Sequence, residues 1–119
     1  MNNKTYVKEV AETIRAQLNC NITEVWAWGS KDFYYLEREH NGVKYPALMF
    51  SVRTPKIKKG GRVIITYNDG ADEYIVEAVR VVNGKEIPVG KREGIYFDQL
   101  HQVINSLIED KETYTKVFF

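Results

Sequence analysis

Asp98 and His101 stand three residues apart, so a helix through them would set a carboxylate and an imidazole on one face. That pair is material for general acid–base chemistry, with a tyrosine at a sheet–helix junction as a third group. No nucleophile and no further partner lies near them in sequence, and the bland reading is an ordinary helical surface pair. His40, beside Asn41-Gly42, is expected in solvent. Cys20 is the only cysteine, which leaves neither an intrachain disulfide nor a thiolate metal cluster. It follows an expected helix C-terminus, where the negative end of the dipole opposes a thiolate. The run Asn68-Asp69-Gly70-Ala71-Asp72-Glu73 is acidic but lacks the alternating ligands and distal Glu of a calcium loop, so it reads as a turn. No metal and no cofactor is expected.

The densest basic stretch is Lys56-Ile57-Lys58-Lys59-Gly60-Gly61-Arg62. It fits neither phosphate-loop pattern, GxxxxGK[ST] or GxGxxG. Read as a flexible loop over 56–62, its cations Lys56, Lys58, Lys59 and Arg62 could contact phosphates, with Lys91 and Arg92 adding to them. Nearby aromatic residues would stack bases. The competing reading is a solvated connection whose lysines discourage edge pairing. Seventeen Lys and Arg against sixteen Asp and Glu leave a net charge of +1, so no global basic field draws in nucleic acid.

The elements that would position these groups are written in periodicity and turn chemistry. Val7, Val10, Ala11, Ile14 and Leu18 predict a helix over 4–18. Leu100, Val103, Ile104, Leu107 and Ile108 predict a second over 96–110. Between them, Asn41-Gly42, Asp69-Gly70 and Asn83-Gly84 each suit a two-residue type I′ turn, which needs positive φ at both central positions. Three such turns imply an antiparallel meander. The first hairpin has arms near 32–39 and 43–53, with Glu39 opposite Lys44, Tyr35 opposite Leu48 and Phe33 opposite Phe50. Pro46 suggests an edge or a bulge. The second runs near 62–68 and 71–82. A two-residue turn pairs Ile65 with Tyr74, and a four-residue loop shifts this by two positions and keeps the faces. A short strand follows over 85–89, then a polar break over 90–94. Thr23–Gly29 reads as an additional short strand with Trp26 and Trp28 on one side, either core anchors or a contact surface. The fold class is α+β: a single domain over 1–119, with a meander of about five strands and both helices on one face.

That inner face would carry Phe33, Tyr35, Leu48, Phe50, Val52, Val63, Ile65, Tyr74, Val76 and Ala78. The opposite face carries Tyr34, Leu36, Tyr45, Ala47, Met49, Ile64, Ile75, Val79 and Val81, too apolar for a plain solvent face. Curling of the sheet or folding of the Trp26/Trp28 segment back over it, a homodimer, or a different macromolecule would each account for it. Tyr34, Tyr45, Met49 and Ile64 are the candidate contact residues. The function expected is therefore that of a non-enzymatic accessory protein, binding another protein or itself through this sheet face. The alternatives are nucleic-acid binding through 56–62 and a small Asp98/His101 enzyme. The N-terminal MNNKTYVKEV holds no apolar signal core and no run reaches membrane-spanning length, so a cytoplasmic location without membrane contact is expected. The tail TYTKVFF ends on three apolar residues.

Overall fold

The computed structural model describes residues 3–109. The apolar tail over 113–119 lies outside them. In chain order the elements are α1 (Asn3–Leu18), a 3-10 turn (Asn19–Asn21), α2 (Ile22–Ala27), β1 (Lys31–His40), β2 (Val43–Thr54), β3 (Ile57–Asn68), β4 (Glu73–Val82), β5 (Lys85–Ile95), a second 3-10 turn (Phe97–Gln99) and α3 (Leu100–Ile108). The five strands form one antiparallel sheet in sequential order, flanked by an N-terminal and a C-terminal helix.

The expected helices form where the apolar period placed them. Ala11, Ile14 and Leu18 of α1 and Leu100, Ile104, Leu107 and Ile108 of α3 join one core with Leu48, Phe50, Val52, Val63, Ile65, Val76 and Ala78 of the sheet, and Val7 is buried as well. Tyr35, expected on this face, is instead half exposed. Residues 22–27 correct a second expectation, for they are helical. Asn21 caps them by accepting from the Glu24 N–H at 3.4 Å. At the other end Gly29, with φ 64°, donates to Trp26 O while Ser30 donates to Val25 O, a Schellman closure. Helical spacing buries Val25 and Trp28 together and turns Trp26 outward, 71% exposed. Trp28 Nε1–H donates to Asn105 Oδ1 at 2.7 Å, and Asn105 Nδ2 donates to Glu24 Oε1 at 3.2 Å, tying α2 to α3.

The first hairpin has the expected register, with Glu39 opposite Lys44 and Tyr35 opposite Leu48. Asn41 and Gly42, and likewise Asn83 and Gly84, have the positive φ of a type I′ turn. A bulge at Asp32 (φ 55°) displaces Phe33 from Phe50 along the ladder, yet their rings stack at 5.0 Å. Pro46 lies on an interior strand, one residue past the last β2–β3 pair, Ala47 with Thr66. The second hairpin takes the four-residue loop: Asn68 faces Glu73 and Ile65 faces Val76. Positive φ falls on Asp72 rather than Gly70. Two expected breaks are strand instead. Residues 57–62 belong to β3, which follows a tight turn at Pro55-Lys56, so the basic stretch is not a flexible loop. Residues 90–94 continue β5, whose bulges absorb the glycines. Gly90 is where α3 meets this strand, since a Cβ there would stand 2.6 Å from Leu107 Cδ2.

The sheet bends toward its second face. Arg38 of β1 donates from Nε and Nη2 to Glu77 of β4 at 3.2 and 3.1 Å, and from Nη2 to Glu86 of β5 at 3.1 Å. In a flat sheet β1 and β4 would stand about 14 Å apart, three strand spacings, beyond the reach of both side chains. The bend buries Ala47, Ile64 and Val79, with Leu36 and Met49 packed against them. Much of the apolar surface expected to be bare is therefore interior.

Candidate functional site

A concavity of about 780 Å³ lies where one side of α1, the β3–β4 loop and the β5–α3 junction converge. Helical spacing brings Tyr6, Glu9, Val10, Thr13 and Gln17 to the same side of α1. The loop contributes Ala71 and Asp72, its flanking strands Tyr67 and Tyr74, and the junction Tyr96, Phe97 and Asp98. The junction is held by a reciprocal pair: Gln99 N–H donates to Tyr96 O at 2.9 Å, and Tyr96 N–H donates to Gln99 Oε1 at 3.0 Å. This short turn starts α3 and leaves Tyr96 and Phe97 on the rim, 54% and 61% exposed.

The phenols are held in place by hydrogen bonds. Tyr67 Oη–H donates to Asp72 Oδ1 at 2.7 Å, Tyr6 Oη–H to Asp69 Oδ2 at 3.0 Å, and Tyr74 Oη–H to Gln17 Oε1 at 3.1 Å. The Tyr67 and Tyr74 rings lie 5.3 Å apart. The bond to Asp72, with smaller contributions from burial and the carboxylate's charge, pushes the Tyr67 hydroxyl up to about 12. Burial, then the bond to Asp69, raises Tyr6. Burial also raises Tyr74, against the opposing Gln17 contact. The groove thus gathers tyrosine rings and carboxylate side chains, and among the described residues that line it none is Lys, Arg or His.

The residues expected from sequence fall elsewhere, with one exception. Asp98 lines the groove. His101 does not join it: its Nε2 lies 2.7 Å from Leu18 O and its ring rests on Trp28 at 5.6 Å, so the acid–base pair is not assembled. Tyr34, Met49 and Arg62 border a small cleft of about 120 Å³ with Asp32, Phe50 and Ser51. Tyr45 is half-buried near the His40 ring, and Ile64 is fully buried, so it offers no side-chain surface. His40 is not in solvent either, with a side chain 8% exposed, 3.3 Å from both Thr66 Oγ1 and Glu77 Oε1. Lys56 is exposed in the β2–β3 turn; the side chains of Lys58 and Lys59 lie outside those described. Arg62 also borders a basic cleft of about 330 Å³ with Lys31, Arg53, Gly60 and Gly61.

Tyr6, Tyr67 and Tyr96 were not singled out in the sequence, and Phe97, which the helical period would add to the apolar stripe of the second helix, stands largely in water instead. They come from three distant segments and share no motif; the signal available was compositional, eight tyrosines in 119 residues. Among the described residues no helix is long and apolar enough to cross a membrane. No protein-family model, curated protein or solved structure matches this chain.

Proposed function

We propose that the protein is a non-enzymatic binding module and that its ligand sits in the aromatic groove between α1, the β3–β4 loop and the β5–α3 junction. The observation that carries this is the cluster of five rings, Tyr6, Tyr67, Tyr74, Tyr96 and Phe97, around one concavity, with its rim pair left in water. The sheet face is a weaker surface for the same role, because the bend toward Arg38, Glu77 and Glu86 takes Ala47, Ile64 and Val79 out of reach. Catalysis by Asp98 and His101 is disfavoured by the commitment of His101 to the Leu18 carbonyl. The test is capture of partners from native-host extract by immobilised protein. Tyr96→Ala with Phe97→Ala should abolish capture, and Tyr34→Ala with Met49→Ala should leave it intact. The opposite pattern would return the binding surface to the sheet.

A second reading has one observation in its favour. Lys31, Arg53 and Arg62 gather in the basic cleft at the β2–β3 end of the sheet, where phosphates could be contacted. It predicts binding of single-stranded nucleic acid that falls steeply with salt and is lost in Arg53→Ala with Arg62→Ala; no binding at low salt removes it.

A further inference from the structure

We infer that the occupant of the aromatic groove is a basic side chain, lysine or arginine, presented by a partner polypeptide. The inference rests on the groove being the binding surface and concerns what that surface selects. Three ligand chemistries can be weighed against its lining. An anion meets Glu9, Asp72 and Asp98 and, among the described residues, no lining cation, and the Tyr6 and Tyr67 hydroxyl protons are already directed at Asp69 and Asp72. A neutral apolar ligand would cover those three carboxylates without replacing their water, a desolvation cost with no compensation. A cation gains from both components at once. Ring faces attract it through their quadrupoles, and carboxylates attract it directly. Asp72 suits this role because a carboxylate whose Oδ1 accepts the Tyr67 hydroxyl hydrogen bond has a second oxygen for another donor. Lys8 of α1 stands 4.0 Å from Glu12, and neither residue lines the groove.

The size of the site argues for a side chain carried on a peptide. The groove's 780 Å³ falls in the range that encloses a whole drug-sized ligand, roughly 300–1,000 Å³, far more than one ammonium group fills. It is open to solvent, and both α1 and the Tyr96-Phe97 pair contribute to its lining. A few residues of an extended chain would fit it, with the basic side chain reaching the Asp72 and Asp98 carboxylates and apolar neighbours resting on the rim rings. The raised tyrosines agree with this picture, since neutral phenols leave the carboxylates as the charge that a ligand meets.

The experiment is an NMR titration of the wild-type chain, following the amide and ring resonances of Tyr67, Asp72, Tyr96 and Phe97. Four probes are used: a short glycine–serine peptide carrying lysines, the same peptide with every lysine acetylated, the same peptide with glutamate for lysine, and tetramethylammonium chloride. The lysine peptide should shift the groove resonances. Its Kd should weaken about tenfold in the Asp72→Asn/Asp98→Asn variant, and it should weaken with added salt. Asn keeps an acceptor for the Tyr67 hydroxyl and tolerates the positive φ at 72, so the fold is retained. Equal binding of the acetylated or glutamate peptide in the groove would overturn the cation and leave the groove as a binding surface. Tetramethylammonium acting as strongly as the lysine peptide would overturn the polypeptide carrier. Groove resonances that do not respond to the lysine peptide would overturn the inference, while partner capture through Tyr96 and Phe97 would stand or fall separately.

Discussion

Replacing Arg38 with Met tests the bend that closes the second face. Arg38 makes three charge-assisted hydrogen bonds, two to Glu77 and one to Glu86, at 3.1–3.2 Å. Its side chain is 26% exposed and that of Glu77 14%, so the pair is neither a surface pair nor a fully buried one. Exposed pairs contribute roughly 0–1 kcal/mol, and orphaning one partner of a buried pair costs about 3–5 kcal/mol. The geometry lies between these limits and gives a loss of about 2 kcal/mol for Arg38→Met. In a domain of this length that lowers Tm by roughly 8 °C. The penalty arises mainly from the Glu77 carboxylate, which loses both bonds to Arg38 and keeps His40 Nε2 at 3.3 Å, so Arg38→Met/Glu77→Leu should recover to within about 1 kcal/mol of wild type. Glu86, at the more exposed end, can turn to water. The assay is equilibrium urea denaturation of the two single variants and the double variant, read as a double-mutant cycle. A single variant within about 0.5 kcal/mol of wild type, with no coupling between the two sites, would show that the bend does not depend on this bridge.

Trp28→Phe removes the Nε1 donor to Asn105 and part of a fully buried ring, and should cost about 2 kcal/mol in the same assay. A loss below about 0.5 kcal/mol would refute the link between α2 and α3. Burial holds His40 below its ordinary value of 6.5; Lys91 and Arg38 act in the same direction, against Glu77 and Glu93. The unfolded chain therefore binds the proton first, so stability should fall as pH drops from about 6.5 toward the lower folded value. His40→Gln should flatten that part of the stability profile, and an unchanged slope would contradict the assignment. Tyr67 should ionise near 12 and move down in Asp72→Asn; spectrophotometric titration checks it against Tyr67→Phe. Tyr96→Ala/Phe97→Ala should change stability by less than about 1 kcal/mol, because both rings stand largely in water.

Where one local signal decided the conformation, the sequence was sufficient. The stripes Val7–Leu18 and Leu100–Ile108 gave the helices, and Asn41-Gly42 and Asn83-Gly84 gave turns with the first hairpin's register. Reading failed where two signals competed. Val25, Trp26 and Trp28 favour a strand by type, yet the Asn21 cap, Glu24 three residues on and Gly29 after the last turn specify a helix. At Asp69-Gly70 the Asn68 side chain accepts from Ala71 N–H at 3.3 Å, widening the loop to four residues and moving the positive φ to Asp72. In β5, Gly90 and Gly94 looked like a break because their tolerance on an edge strand depends on neighbours the sequence does not name. The bend was one of three explanations for the apolar second face, and what selects it is the long-range contact of Arg38 with Glu77 and Glu86. The groove was least legible. Only Asp98 was marked beforehand, and the rings around it meet through tertiary packing of segments some ninety residues apart, from Tyr6 to Phe97.

The claim that the aromatic groove is the contact surface is tested most directly by a photo-crosslinking amino acid placed in native-host cells at position 97, and separately at position 34 on the sheet. Irradiation should give a discrete adduct from position 97 and none from position 34. An adduct from position 34 alone would contradict the account and put the partner on the sheet.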